Sequence, residues 1–152
     1  MKRKYSYVGI DPGKNGGIAI FWGDGSIDAY RFPKKQELLV NIIEKIKKHC
    51  RIEKYNCKWV IEDVHALYGS SAKATFSFGR NLGYWEGVLS SKRIKWSKIS
   101  PKVWQSKYTL SKEKKNRKNE LKALAQKMVK FKVTLATADA ILIANWSKNE
   151  RR

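Results

Sequence analysis

Acidic residues are scarce in this chain: 13 of 152 residues are Asp or Glu, against 33 Lys or Arg, for a formal net charge of +20. A folded protein this basic repels itself, and its usual counterpart is a polyanion. Nucleic acid leads, because neutralising phosphates releases condensed counterions. Cysteine is scarcer still. Cys50 and Cys57 have neither the spacing of a zinc site nor the density of a disulfide framework, so both are expected to be half-buried thiols without a redox role. No run of 18 apolar residues occurs, which argues against a membrane-spanning helix. No basic amphipathic helix with a large apolar face stands apart to suit a membrane surface. Met1 to Tyr5 lacks the apolar stretch of a secretory signal. The expectation is a soluble protein of a reducing compartment.

What is present supports a core. Apolar residues make up 42% and aromatics 12%, with six Trp and seven Tyr, which is too rich for a disordered basic tail. The length suits one domain, 1–152, able to hide roughly 68–70% of the unfolded chain's surface. The charge is uneven. Residues 92–152 hold 18 basic and 4 acidic residues, whereas 1–91 hold 15 and 9, so the partner's backbone is expected mainly across the C-terminal half.

Tyr5 to Asp11 reads as a buried strand closed by Pro12 and Gly13. Ile18 to Trp22 and Ile27 to Phe32 read as two more strands around the hairpin turn Gly23-Asp24-Gly25. From Gln36 the period becomes helical, with Leu38, Leu39, Ile42, Ile43 and Ile46. Lys58 to Glu62 is a fourth strand, His65 to Ser71 a loop, and Phe78, Leu82, Trp85 and Leu89 a second helix. Ile94 to Ile99 is a fifth strand, followed by a short turn or helix from Pro101 to Trp104. Residues 107–118, with six cations and the single acid Glu113, read as a solvated, mobile loop before helices at Glu120 to Lys130 and Leu135 to Trp146. This predicts an α/β domain with a mixed five-stranded sheet flanked by helices. Gly79, Gly83 and Gly87 form a bare ridge on the second helix. Glycine there costs roughly 1 kcal/mol per position, so the ridge implies close approach by the sheet, a partner subunit or DNA.

Several of the few acids stand in odd places. Asp11 ends one apolar strand, Glu62 and Asp63 end another, and Asp139 interrupts the apolar run Ala136 to Ala144. An isolated buried carboxylate is strongly disfavoured, and pairing with a cation or binding a metal relieves it. Strand ends are where open α/β sheets place ligands. Oxygen ligands gathered there favour Mg²⁺ or Mn²⁺ over zinc, and such ions serve in-line phosphoryl displacement.

Val8-Gly9-Ile10-Asp11-Pro12-Gly13 with Gly16-Gly17, then Val60-Ile61-Glu62, then Ala138-Asp139-Ala140 in a late helix, resembles the RuvC-like Holliday-junction resolvases of the RNase H-like superfamily. Glu62-Asp63-Val64-His65-Ala66, Ser70-Ser71 and Phe76-Ser77-Phe78-Gly79 resemble the phage and chloroplast branch most. The resemblance implies an RNase H-like fold and a homodimeric, Mg²⁺-dependent crossover junction endodeoxyribonuclease. It implies cleavage of four-way or branched DNA to 5′-phosphate and 3′-hydroxyl ends, in bacterial or phage-infected host cytoplasm. Asp11, Glu62 and Asp139 would be metal ligands and catalytic groups, with Asp63 as a further ligand. The family carries another Asp or His just before the last acid, where this chain has Leu135 and Ala136. Near the Pro-x-x-Trp turn a basic residue is replaced by Gln105, and Lys114 resembles the family's other active-site lysine. Gly79, Gly83 and Gly87 would contribute to the dimer interface. The loop leading into their helix, with Ser70, Ser71, Lys73 and Phe76, would enter the junction centre, where an aromatic can stack on a base. Arg80, Asn81, Lys107, Lys112 and Lys115 are further candidates for contact with DNA. The competing readings are another RNase H-like nuclease, acting on flaps or RNA, and a non-catalytic nucleic-acid-binding protein on the same fold.

Overall fold

In the computed structural model, which describes residues 4–65 and 69–150, the chain is organised around β1 (Tyr5–Asp11). Antiparallel to it runs β2 (Gly17–Phe21), and antiparallel to β2 runs β3 (Ile27–Arg31). On the other side β4 (Asn56–Glu62) and β5 (Trp96–Ile99) continue the sheet in parallel, giving the order β3-β2-β1-β4-β5. The β2–β3 hairpin closes through Gly25, at φ +94°, and through Asp24, whose carboxylate accepts from the backbone and hydroxyl of Ser26. Parallel neighbours need crossovers. These are α1 (Gln36–Ile52), between β3 and β4, and α2 (Ala72–Ser91), between β4 and β5.

Alternation along β1 divides the molecule. Val8 and Ile10 face α1 and α2, where they join Leu39, Ile43, Ile46, Trp85 and Leu89 in one core. The opposite face carries a second core with α3 (Pro101–Gln105), α4 (Lys114–Gln126) and α5 (Leu135–Asn149), centred on Trp104, Leu121 and Ile141. Gly9 lies on that second face. A Cβ there would stand 2.4 Å from both the Ala140 carbonyl oxygen and the Ala144 backbone nitrogen. The helix α5 therefore rests directly on the backbone of β1, and no other residue at position 9 allows it. Among the described residues no helix is long and apolar enough to cross a membrane.

Three expectations need correction. The basic stretch 107–118 is not all loop, because α4 begins at Lys114, six residues earlier than the apolar period indicates. Lys and Arg are good helix formers, and the start is held from both sides. Asn116 donates to the Glu113 carboxylate, and the Glu120 carboxylate accepts from the Ser111 N–H at 2.9 Å. Likewise α2 begins at Ala72, with the Ser71 hydroxyl capping the Ala74 N–H; Lys73 and Phe76 are thus helical, not in a loop. Finally, Cys50 and Cys57 are joined in a disulfide and are not free thiols. The short link between α1 and β4 brings their Cα atoms to 6.6 Å. Ala66, from the motif after Glu62, lies outside the described residues.

Candidate active site

The C-terminal ends of β1 and β4 deliver Asp11 and Glu62 side by side, since Ile10 pairs with Ile61 across the parallel ladder. Asp11 turns back into its own loop, where its Oδ1 accepts from the Gly13 N–H at 2.9 Å. That conformation depends on Gly16. A Cβ at that position would lie 2.6 Å from Asp11 Cγ and 2.3 Å from the Asp11 carbonyl oxygen. Asp139 arrives from above the sheet. Ala136, Ala140 and Ala144 recur four residues apart along α5, and the first abuts the site of Gly17 as the other two abut Gly9. Asp139 is thereby pinned beside the end of β1. The entry of α5 is fixed in turn by Thr134 and Thr137, whose side chains cap each other's backbone.

The three carboxyls share a desolvated space, and their proton affinities show it. Burial pushes Asp11 up, against the Gly13 N–H and the positive field of Lys118. Glu62 is pushed up to about 8, mainly by burial and then by the charge of Asp11, with Asp139 adding to it. Asp139 is pushed up to about 7 by burial and by Asp11, again moderated by Lys118. Desolvation and like charge act together here. Glu62 has one fixed partner: the buried Trp104 indole N–H donates to its Oε1 at 2.8 Å. Among the described residues none of the three acids closes an ion pair.

A cavity of about 360 Å³ opens onto this cluster, lined by Asp11, Asp139, Lys118, Asn81, Phe78 and Leu135 among others. Glu62 does not line it and is 8% exposed. Among the described residues no three acid, His or Cys side chains already stand at coordinating distance. The donor set nonetheless fits a hard divalent cation. It is all carboxylate, it is mutually repulsive, and an ion between its members would offset both that repulsion and the cost of burying the charges.

Several predicted site residues are not brought together. Asp63, following Glu62, pairs with His65 Nε2 at 3.2 Å. Leu135, where the family carries another ligand, sits half exposed at the cavity. Lys114 is the first residue of α4, and Lys118, one turn later, lines the acid cavity. Lys107 lines a separate hollow with Asn145 and Asn149 at the far end of α5. Lys112 and Lys115 are exposed at the start of α4, and Ser70 is exposed just before α2. Lys73, Phe76, Arg80 and Asn81 do converge, on a second cleft that shares Lys14, Asn15, Ser77 and Asn81 with the acid cavity. The glycine ridge has open space at all three positions, with nothing within 4 Å of an added Cβ. Packing against the sheet is therefore not what the ridge is for. Sequence reasoning missed Lys118, one of six cations in a run, and the role of Trp104. The signal for the latter was a tryptophan directly after the strand next to β4.

No protein-family model and no curated protein sequence matches the chain. Solved structures do. RuvC of T. thermophilus in complex with Holliday junction substrate is 13% identical, with 93% of this chain and 91% of that chain covered at a TM-score of 0.59. A second Thermus thermophilus RuvC structure is 14% identical, covering 93% and 92% at 0.52. The five-stranded mixed sheet with its flanking helices is thus the RuvC-like, RNase H-like fold.

Proposed function

We propose that this protein is a structure-selective, divalent-metal-dependent endonuclease that resolves four-way or branched DNA, leaving 5′-phosphate and 3′-hydroxyl ends. One observation carries the reading: in a chain with net charge +20, three of only 13 acids converge, without a cationic partner in contact, beside a cavity at the strand ends of a RuvC-like fold. The assignment to a phage and chloroplast branch rests on the motif residues alone.

Asp11, Glu62 and Asp139 would hold Mg²⁺, with Mn²⁺ able to replace it, and its chemistry there is to polarise phosphate oxygens and lower the pKa of water. The chain does the positioning. Gly13 fixes the Asp11 carboxylate, and Trp104 fixes that of Glu62, leaving the other Glu62 oxygen available. Lys118 on the rim stabilises the negative charge that builds on phosphate during displacement. Burial keeps bulk water from competing at the floor. A homodimer would present two such sites to opposed strands. The exposed ridge of Gly79, Gly83 and Gly87 on α2 supports a helix-to-helix contact there, since bare glycines let backbones approach closely.

The test is an end-labelled synthetic four-way junction, compared with a flap and an RNA–DNA hybrid, each with Mg²⁺ or EDTA. Wild type should make symmetric, Mg²⁺-dependent nicks near the crossover. Asp11→Asn should abolish them while preserving or tightening binding, because a negative charge facing phosphate is lost. Equal cutting of flap or hybrid would replace the junction reading, and tight binding without any nick would replace the enzyme.

A further inference from the structure

The second cleft lies between the β3–α1 link and the first turns of α2, and it encloses about 630 Å³. Five cations line it: Lys14 from the β1–β2 turn, Arg31 and Lys34 from the end of β3 and the link, and Lys73 and Arg80 from α2. No acid lines it. All five are exposed, and among the described residues none is ion-paired or hydrogen-bonded through its side chain. By contrast, Lys92 and Lys98 elsewhere on this face are paired with Glu44 and Glu86. Five unpaired cations around one hollow repel one another, and an anion with several charges offsets that repulsion. Amides also line the hollow, at Asn15, Gln36 and Asn81, ready to donate to phosphate or sugar oxygens.

We infer that this cleft is a phosphate track for a single DNA strand, continuing from the acid cavity at Asp11 and Asp139, with Arg31 and Lys34 as its outer wall. The inference rests on the nuclease reading of the acid cavity. The two hollows share Lys14, Asn15, Ser77 and Asn81, so they adjoin, and a strand leaving one passes directly to the other. A hollow of about 630 Å³ is large enough to take the backbone of one strand. All five cations belong to residues 1–91, so the strand's path does not follow the C-terminal excess of charge that the sequence displays. Main-chain geometry holds the outer wall in place: Arg31 pairs with Gly17 across the ladder, and the Phe32 N–H donates to Gly16 O at 2.8 Å. The same turn that lets Asp11 fold back therefore sets the distance between Arg31 and the acids.

The test is the salt dependence of binding to a labelled four-way junction in EDTA, where no cleavage occurs. Each phosphate contact to a single strand contributes about 0.7 to the slope of log K against log[salt]. Arg31→Gln with Lys34→Gln should flatten the slope by about 1.4 and weaken binding about 25-fold at 0.1 M salt. The charge-keeping pair Arg31→Lys with Lys34→Arg should restore both. Lys48→Gln with Arg51→Gln, the same charge loss on the exposed face of α1, should leave the slope unchanged. An unchanged slope in the Arg31 and Lys34 pair, or an equal loss in the α1 pair, would overturn the inference. The nuclease reading fails separately, through absence of Mg²⁺-dependent nicks by wild type, whatever the slopes in EDTA.

Discussion

Removing the charge of Glu62 should stabilise the metal-free protein, and only at high pH. Its carboxyl is buried beside Asp11 and Asp139 and titrates near 8, not at its ordinary 4.5. The folded state therefore holds this proton more tightly than the unfolded chain does. Stability contributed by the neutral form is fully present below 4.5 and is lost as pH rises towards 8. At about 1.36 kcal/mol per pH unit, the loss between pH 5 and 9 is about 4 kcal/mol. For a chain of this length that corresponds to roughly 8–16 °C in Tm. Glu62→Gln keeps an oxygen for the Trp104 indole N–H and cannot ionise. In EDTA, the melting temperatures of wild type and Glu62→Gln should nearly coincide at pH 5, and the variant should pull ahead by that amount at pH 9. Adding Mg²⁺ at pH 8 should raise wild type more than the variant, narrowing the gap. Parallel curves from pH 5 to 9 would refute the reasoning, because they would mean the Glu62 charge is not desolvated on folding.

Three further outcomes follow from named contacts. Gly9→Ala should destabilise by at least about 2–3 kcal/mol in thermal or urea unfolding, because its Cβ meets α5 backbone, which cannot swing aside. Lys118→Met should lower single-turnover junction cleavage by about 10²–10³-fold while changing affinity in EDTA by less than about tenfold, the split expected of charge stabilisation in the transition state. Replacing Gly79, Gly83 and Gly87 with Ala should weaken self-association in sedimentation equilibrium. In the dissociated chain it should add roughly 1 kcal/mol of helix stability per site, since no atom obstructs the new methyls.

The parts legible in the sequence were those with a strong local period or a local contradiction. β1 is found at its full extent because Tyr5 to Asp11 is apolar and ends in breakers. Asp139 is conspicuous because nothing else in Ala136 to Ala144 is charged. The start of α4 was hidden for the opposite reason: Lys114 to Glu120 contains no apolar residue, so no period exists to read. Lys118 was lost with it, since choosing one cation of six requires knowing the helix and its phase. Trp104 and Glu62 are 42 residues apart and meet only because β5 lies beside β4. The second cleft draws its cations from three separated segments, and a charge count by halves of the chain cannot register that.

The packing around the acids explains how the fold tolerates them. Three clustered carboxyls oppose folding in the absence of a cation, and among the described residues no cation pairs with them, the field of Lys118 only moderating Asp11 and Asp139. The opposing contribution comes from close backbone contact: α5 seated on Gly9 and Gly17, and Asp11 folded over Gly16. Those positions admit no side chain, so the helix that carries Asp139 cannot slide or lift without losing its seat on β1. Repulsion among the acids is thus held by rigid elements and not relieved by motion, as a preorganised site requires. The cost of keeping the charges together is met before any ligand arrives, and what an arriving cation gains is the removal of that repulsion. Substitutions at the glycines should therefore disturb the site as much as substitutions at the acids, though none of the glycines has a functional group to contribute.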